Sequence, residues 1–100
     1  MGLTVLMMLA ATAVHPDVLR EQAIVYEASG LVAYCREQAE ERFAAQDRAT
    51  YQWSASHKSR GNTLMVDGLL RLEGGKEAQV SCRLPRGRRL VQMTIDIVEK

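Results

Sequence analysis

The stretch 63–85, TLMVDGLLRLEGGKEAQVSCRLP, decides the fold because polar and apolar residues alternate on both sides of a Gly-Gly pair. The even-numbered residues from Leu64 to Leu72 and from Ala78 to Leu84 are apolar or glycine, whereas most residues between them are polar. A period of two is typical of a strand with one buried face. The Gly-Gly pair suits a tight turn, so the stretch predicts an antiparallel hairpin.

Two further runs with the same period flank this hairpin. The odd-numbered residues from Tyr51 to His57 alternate with Gln and Ser, and the odd-numbered residues from Val91 to Ile97 are all apolar. This alternation predicts a first and a fourth strand, with Tyr51 and Trp53 both in the core. Short polar turns between the four runs predict an antiparallel meander with one apolar face.

Residues 15–46 have a helical period instead. Pro16 suits a first helical turn, and we expect a shorter helix over about Pro16–Ala28. A stronger helix is expected over about Leu31–Gln46, with a bend at Gly30. The inward face of the stronger helix recurs at helical spacing and consists of Leu31, Val32, Cys35, Ala39 and Phe43.

These elements predict an α+β fold in which an N-terminal helix, bent at Gly30, packs on a four-stranded antiparallel meander. Residues 14–100 form this single domain, since 100 residues hold only one modest core. With 47% hydrophobic and 25% charged residues, the composition is that of a folded protein. A net charge of +1 excludes a strong overall attraction to nucleic acid or membranes.

Residues 1–13, MGLTVLMMLAATA, carry no charge and read as a signal peptide or a leader remnant. The apolar run is too short to span a bilayer, so no transmembrane segment is expected. No Lys or Arg precedes the run, which leaves open that it is an apolar helix of the mature fold. We predict a periplasmic or secreted protein, with a cytoplasmic location as the alternative.

The two cysteines, Cys35 and Cys82, are directed by separate periodicities into the same space between helix and sheet. In an exported protein with a small core, this placement favours an intrachain disulfide. In a cytosolic protein the same residues would be buried free thiols. A zinc site would need His15 and His57 as well, at spacings unlike those of structural zinc sites. A catalytic thiol would need a positioned base and an exposed setting. We expect no metal and no cofactor.

A helix with an inward cysteine, followed by a sheet whose third strand carries V-x-C-x-L at 80–84, resembles small exported bacterial α+β proteins of unknown function. The resemblance covers about 31–97 and implies one disulfide between helix and sheet, without catalytic residues. The order of elements is more loosely similar to cystatin-like folds. However, the Q-x-V-x-G signature of cystatin inhibitors is absent, which argues against protease inhibition.

The first and third turns of a meander lie at the same end of the sheet, and here both are basic. We call this predicted cluster the basic end, and it consists of Lys58, Arg60, Arg83, Arg86, Arg88 and Arg89. Three of the 12 acidic residues lie together on the stronger helix, at Glu37, Glu40 and Glu41. Such a basic end suits an anionic envelope component or an acidic protein. Nucleic acid is not expected as the partner of an exported chain.

We therefore expect a non-enzymatic binding or accessory role, and two alternatives remain open. One is a small enzyme that uses His57 beside the arginines on an anionic substrate. The other is a cytosolic assembly subunit with free thiols, which would associate through Met65, Leu69 and Leu90 on the polar face of the sheet. Two carboxylates on that face, Asp67 and Asp96, are expected to pair with arginines rather than to act in catalysis.

Overall fold

The computed structural model describes residues 16–100, and the side chains from Val18 onwards. The predicted leader at 1–13 and His15 lie outside the described residues. The chain is an α+β protein in which one helix packs on a four-stranded antiparallel sheet. The elements follow in the order α1 (Pro16–Glu21), β1 (Ile24–Val25), α2 (Val32–Ala44), β2 (Thr50–Arg60), β3 (Thr63–Leu72), β4 (Glu77–Pro85), β5 (Arg88–Arg89) and β6 (Thr94–Glu99).

The four-stranded sheet has the order β2-β3-β4-β6, so each strand pairs with the next long strand in sequence. The central hairpin forms as predicted, with Val66 opposite Cys82 and Gly68 opposite Val80. Gly74 and Gly75, in its turn, have φ of 77° and 74°, which only glycine adopts without strain. The even-numbered residues of β3 and β4 are all buried, which confirms the predicted face.

The core lies between α2 and the buried face of the sheet, which we call the helix-side face. Leu31, Cys35, Ala39 and Phe43 are at most 3% exposed and pack on the buried residues of β3 and β4. Met93, Ile95 and Ile97 complete the layer along β6, where they are partly buried. The predicted inward stripe of the stronger helix is thereby confirmed.

The segment before α2 differs from the prediction. The helix that was expected to reach Ala28 ends at Glu21, and Ile24–Val25 instead pairs with Arg88–Arg89 as a separate two-stranded sheet. A 3-10 turn over Ala28–Leu31 leads into α2, so the long helix is neither N-terminal nor continuous across Gly30. Six residues make a marginal helix, and pairing with a distant strand outweighs helix propensity here.

The first strand also differs from the prediction. Thr50 lies opposite Leu72 and Trp53 opposite Leu70, so β2 carries one extra residue between them. Such a bulge shifts the alternation of side chains. Tyr51 is consequently 66% exposed rather than in the core, whereas Trp53 remains partly buried on the helix-side face. The ring of Trp53 lies directly over Gly68, where a Cβ atom would overlap it.

Candidate functional site

Cys35 and Cys82 form a disulfide between α2 and β4, with their Cα atoms 6.0 Å apart. Both residues are 0% exposed. The bond confirms the predicted pairing and ties the helix layer to the sheet layer. It also removes both sulfur atoms from the zinc and catalytic-thiol alternatives, which require thiolates.

The two basic turns meet at one end of the sheet. The β2–β3 turn has Gly61 at its first central position with φ of 58°, as a type II′ hairpin requires. The β4–β5 turn has Gly87 with φ of 84°. The backbone N–H of Arg86 donates to the carbonyl oxygen of Asn62 at 2.6 Å, which holds the two turns together.

The residues of the basic end divide between two surfaces. Lys58 and Arg83 both lie opposite Met65, so they flank it on the open face of the sheet, away from α2. Arg60 ends β2 beside the turn. Arg86 turns towards the helix side, where its Nε donates to the carbonyl oxygen of Tyr26 at 3.1 Å.

Arg88 and Arg89 lie further along, on β5, beside β1. The Arg89 guanidinium donates to the side chain of Gln22 at 2.8 Å and is therefore drawn towards the N-terminal segment. Among the six basic residues, Arg89 alone forms a hydrogen bond to another side chain within the part of the chain that the structure describes, whereas Arg86 bonds to a backbone carbonyl.

Four of the five arginines outside the basic end form ion pairs with carboxylates, and Arg42 is in no salt bridge between described residues. Arg20 forms a two-pronged ion pair with Glu37, and this hydrogen bonding lowers the pKa of the Glu37 carboxyl. Arg48 forms an ion pair with Glu99, and this hydrogen bonding lowers the pKa of the Glu99 carboxyl. The remaining salt bridges between described residues are Arg36–Glu40 and Arg71–Glu77.

By contrast, no residue of the basic end forms a salt bridge with any carboxylate between residues 16 and 100. Its positive charge is therefore not compensated by contact with a neighbouring acid. Two of the acidic residues of α2, Glu37 and Glu40, are engaged by arginines outside the basic end.

A depression of about 510 Å³ opens on the helix side of this end. We call it the edge groove, and its lining consists of Tyr26, Glu27, Ala28, Ser29, His57, Lys58, Ser59 and Arg86. Residues 57–59 are consecutive, and consecutive strand residues point to opposite faces. Because β2 is an edge strand, a lining that includes three consecutive residues of it indicates that the groove reaches the outer edge of β2.

The opposite wall of the edge groove was not predicted from the sequence. Residues 26–28 were assigned to the shorter helix, but Glu27 is extended, with φ of −132° and ψ of 144°. The groove brings His57 together with Lys58 and Arg86, which the sequence had grouped only loosely. Among described residues, no hydrogen bond joins His57 to a serine or a carboxylate, which a nucleophile–base pair requires.

The open face of the sheet carries the second predicted surface. Asp67, Ser81 and Asp96 lie in one row across β3, β4 and β6, and the Ser81 hydroxyl donates to Asp67 at 3.2 Å. Asp67 and Asp96 form no ion pair with an arginine among residues 16–100, contrary to the expectation. Leu90 is only 4% exposed and belongs to the core, so its assignment to this face was wrong.

The fold and the site define a disulfide-linked helix-on-sheet domain with an unpaired basic end. Comparison with known proteins finds no family model, no curated protein and no solved structure that matches this chain. Within residues 16–100, no helix is long and apolar enough to cross a membrane. Within the same residues, no group of three His, Cys, Asp or Glu side chains is placed to hold a metal ion.

Proposed function

We propose that this chain is a small exported, non-enzymatic binding protein that holds an anionic partner at its basic end. The observation that carries the proposal is the contrast between two sets of arginines. Outside the basic end, the arginines at 20, 36, 48 and 71 are paired with glutamates and only Arg42 is not, whereas none of the clustered residues of the basic end has a carboxylate partner among described residues. Charges left unpaired at one pole of a molecule attract a ligand of opposite sign.

The disulfide supports the exported location. Disulfides persist in the periplasm and outside the cell, whereas cytosolic reductants keep most thiols reduced. The uncharged run at 1–13 has the composition of a secretory leader. Both features support a periplasmic or secreted location, in which an acidic protein or an anionic envelope component is available as a partner.

A fluorescent hexaglutamate peptide is a suitable first probe, with hexaglutamine as the uncharged control. We expect fluorescence anisotropy to detect binding of hexaglutamate at low salt, and weaker binding at physiological salt. The double variant Lys58→Gln/Arg60→Gln should bind about three- to thirtyfold more weakly, since surface charge pairs contribute about 0.3–1 kcal/mol each.

The matched control is Lys76→Gln/Lys100→Gln, which removes the same charge at the opposite end of the sheet. Equal weakening by both double variants would contradict the proposal, because binding would then follow net charge alone. His57→Ala should weaken binding less than Lys58→Gln/Arg60→Gln does, since it removes neither a lysine nor an arginine.

A further inference from the structure

The outer edge of β2 is long and carries little protection. This edge strand has eleven residues, of which all but Thr50 and Trp53 are exposed. No other strand between residues 16 and 100 pairs with its outer side. Natural edge strands are usually short, or carry charges or proline that discourage further pairing. Residues 50–56 contain neither a charge nor a proline.

The edge groove lies against the basic half of this strand. One wall is formed by residues 57–59 of β2, and the other by residues 26–29, where the extended Glu27 leads into the 3-10 turn. A groove bounded by a free strand edge fits an extended chain, whose N–H and C=O groups can continue the sheet. Compact ligands could not use these backbone groups in the same way.

The charge of the groove selects among extended chains. Arg86 is fixed in it by its bond to Tyr26, and Lys58 lies on the strand itself, with Arg60 two residues beyond. Glu27 is the one carboxylate in the lining. The groove therefore carries a net positive charge and favours an acidic occupant. A second copy of this chain would instead bring Lys58 and Arg60 of its own to the same strand edge.

We propose that the anionic partner is an extended acidic peptide segment that adds to β2 as a further strand of the sheet. This inference rests on the proposed function and specifies the partner. Alternate side chains of the added strand share one face, so carboxylates at every second position lie together beside Lys58 and Arg60, which are two residues apart on one face of β2. The backbone of the peptide supplies the pairing, and its carboxylates supply the selectivity.

The test uses a peptide of alternating Thr and Glu and two N-methylated forms of it, measured with the full chain. One form is methylated on the Glu nitrogens and the other on the Thr nitrogens, so both keep the charge and composition. Only one set of N–H groups faces β2 in an added strand. We expect one form to bind about tenfold or more weakly than the parent peptide, and the other to bind nearly as well.

Each other outcome has a separate meaning. Equal binding of the parent peptide and both methylated forms would overturn strand addition, while leaving the anion-binding proposal intact. No salt-dependent binding of the parent peptide or of hexaglutamate would overturn both. A block peptide with the same numbers of Thr and Glu should bind more weakly than the alternating one, and equal affinity would contradict the pairing of alternate carboxylates with Lys58 and Arg60.

Two other occupants of the edge are tested by hydrogen exchange in the free, full-length protein. We expect the outer amides of β2 to exchange rapidly and to become protected when the peptide binds. If these amides exchange slowly without peptide and the protein sediments as a dimer, a second copy of the chain covers the edge. Slow exchange in a monomer would assign it to another segment of the chain, and either result would overturn the proposal.

Discussion

Opening the Cys35–Cys82 bond should destabilise the protein strongly. The bond closes a loop with a sequence separation of 47 residues. In the chain-entropy model, a loop of that length stabilises the folded state by about 4 kcal/mol at room temperature. A domain of this size has about 5–15 kcal/mol of total stability, so the reduced protein should retain only a fraction of it.

Urea unfolding of the oxidised and the reduced protein, followed by circular dichroism, measures this difference. With a urea slope of about 1–3 kcal/mol per molar, the midpoint should fall by about 1.3–4 M. The Cys35→Ala/Cys82→Ala variant should be less stable than the reduced protein, because it also leaves a cavity between helix and sheet. A free-energy difference below about 1 kcal/mol on reduction would refute the reasoning, since the bond would then not restrict the unfolded chain as the model requires.

Three further predictions concern the core, the sheet and the loss of folding stability at low pH. Leu84→Ala should cost about 2–5 kcal/mol of unfolding free energy in urea, because Leu84 is fully buried, and a cost below 1 kcal/mol would contradict its place in the core. Gly68→Ala should cost about 1–3 kcal/mol and shift tryptophan fluorescence to the red, because the new methyl group displaces the Trp53 ring; an unchanged spectrum would argue against that contact. Arg48 lowers the pKa of the Glu99 carboxyl in the folded state, so the stabilisation exists above the ordinary glutamate pKa of about 4.3 and is lost as the pH falls through the folded value. Glu99→Gln should therefore reduce stability near neutral pH but not in strong acid, as urea midpoints across pH would reveal, and an equal loss at every pH would contradict it.

The central hairpin and the helix that packs on it could be predicted from the sequence because the periodicity of their apolar residues agrees with their burial. Leu64, Val80 and Cys82 alternate strictly with polar neighbours, and nothing in the tertiary structure interrupts that pattern. The pairing of Cys35 with Cys82 followed from two such patterns that face the same interlayer space.

The position of Tyr51 could not be predicted in the same way. A bulge adds one residue to β2 without any break in the alternating sequence, and the side chains before it then change faces. The signal that marks the bulge is the mismatch in register between β2 and β3, which exists only once the two strands are paired.

The wall of the edge groove was missed for a related reason. Ile24 and Val25 lie in a sequence with helical spacing, but their pairing with Arg88–Arg89 depends on residues more than sixty positions away. Since that pairing also extends the chain at Glu27, the groove beside His57 depends on tertiary structure. The basic residues themselves were visible in the sequence, but the division of the basic end between two surfaces was not.

The most direct test of the binding site is chemical-shift mapping on the isotope-labelled, full-length protein with the alternating Thr and Glu peptide. We expect the largest shift changes at residues 57–59, at residues 26–29 and at Arg86, with smaller changes along the rest of β2. Changes centred on the open face around Asp67 and Ser81, or spread evenly over every exposed basic residue, would contradict the assignment of the edge groove as the site.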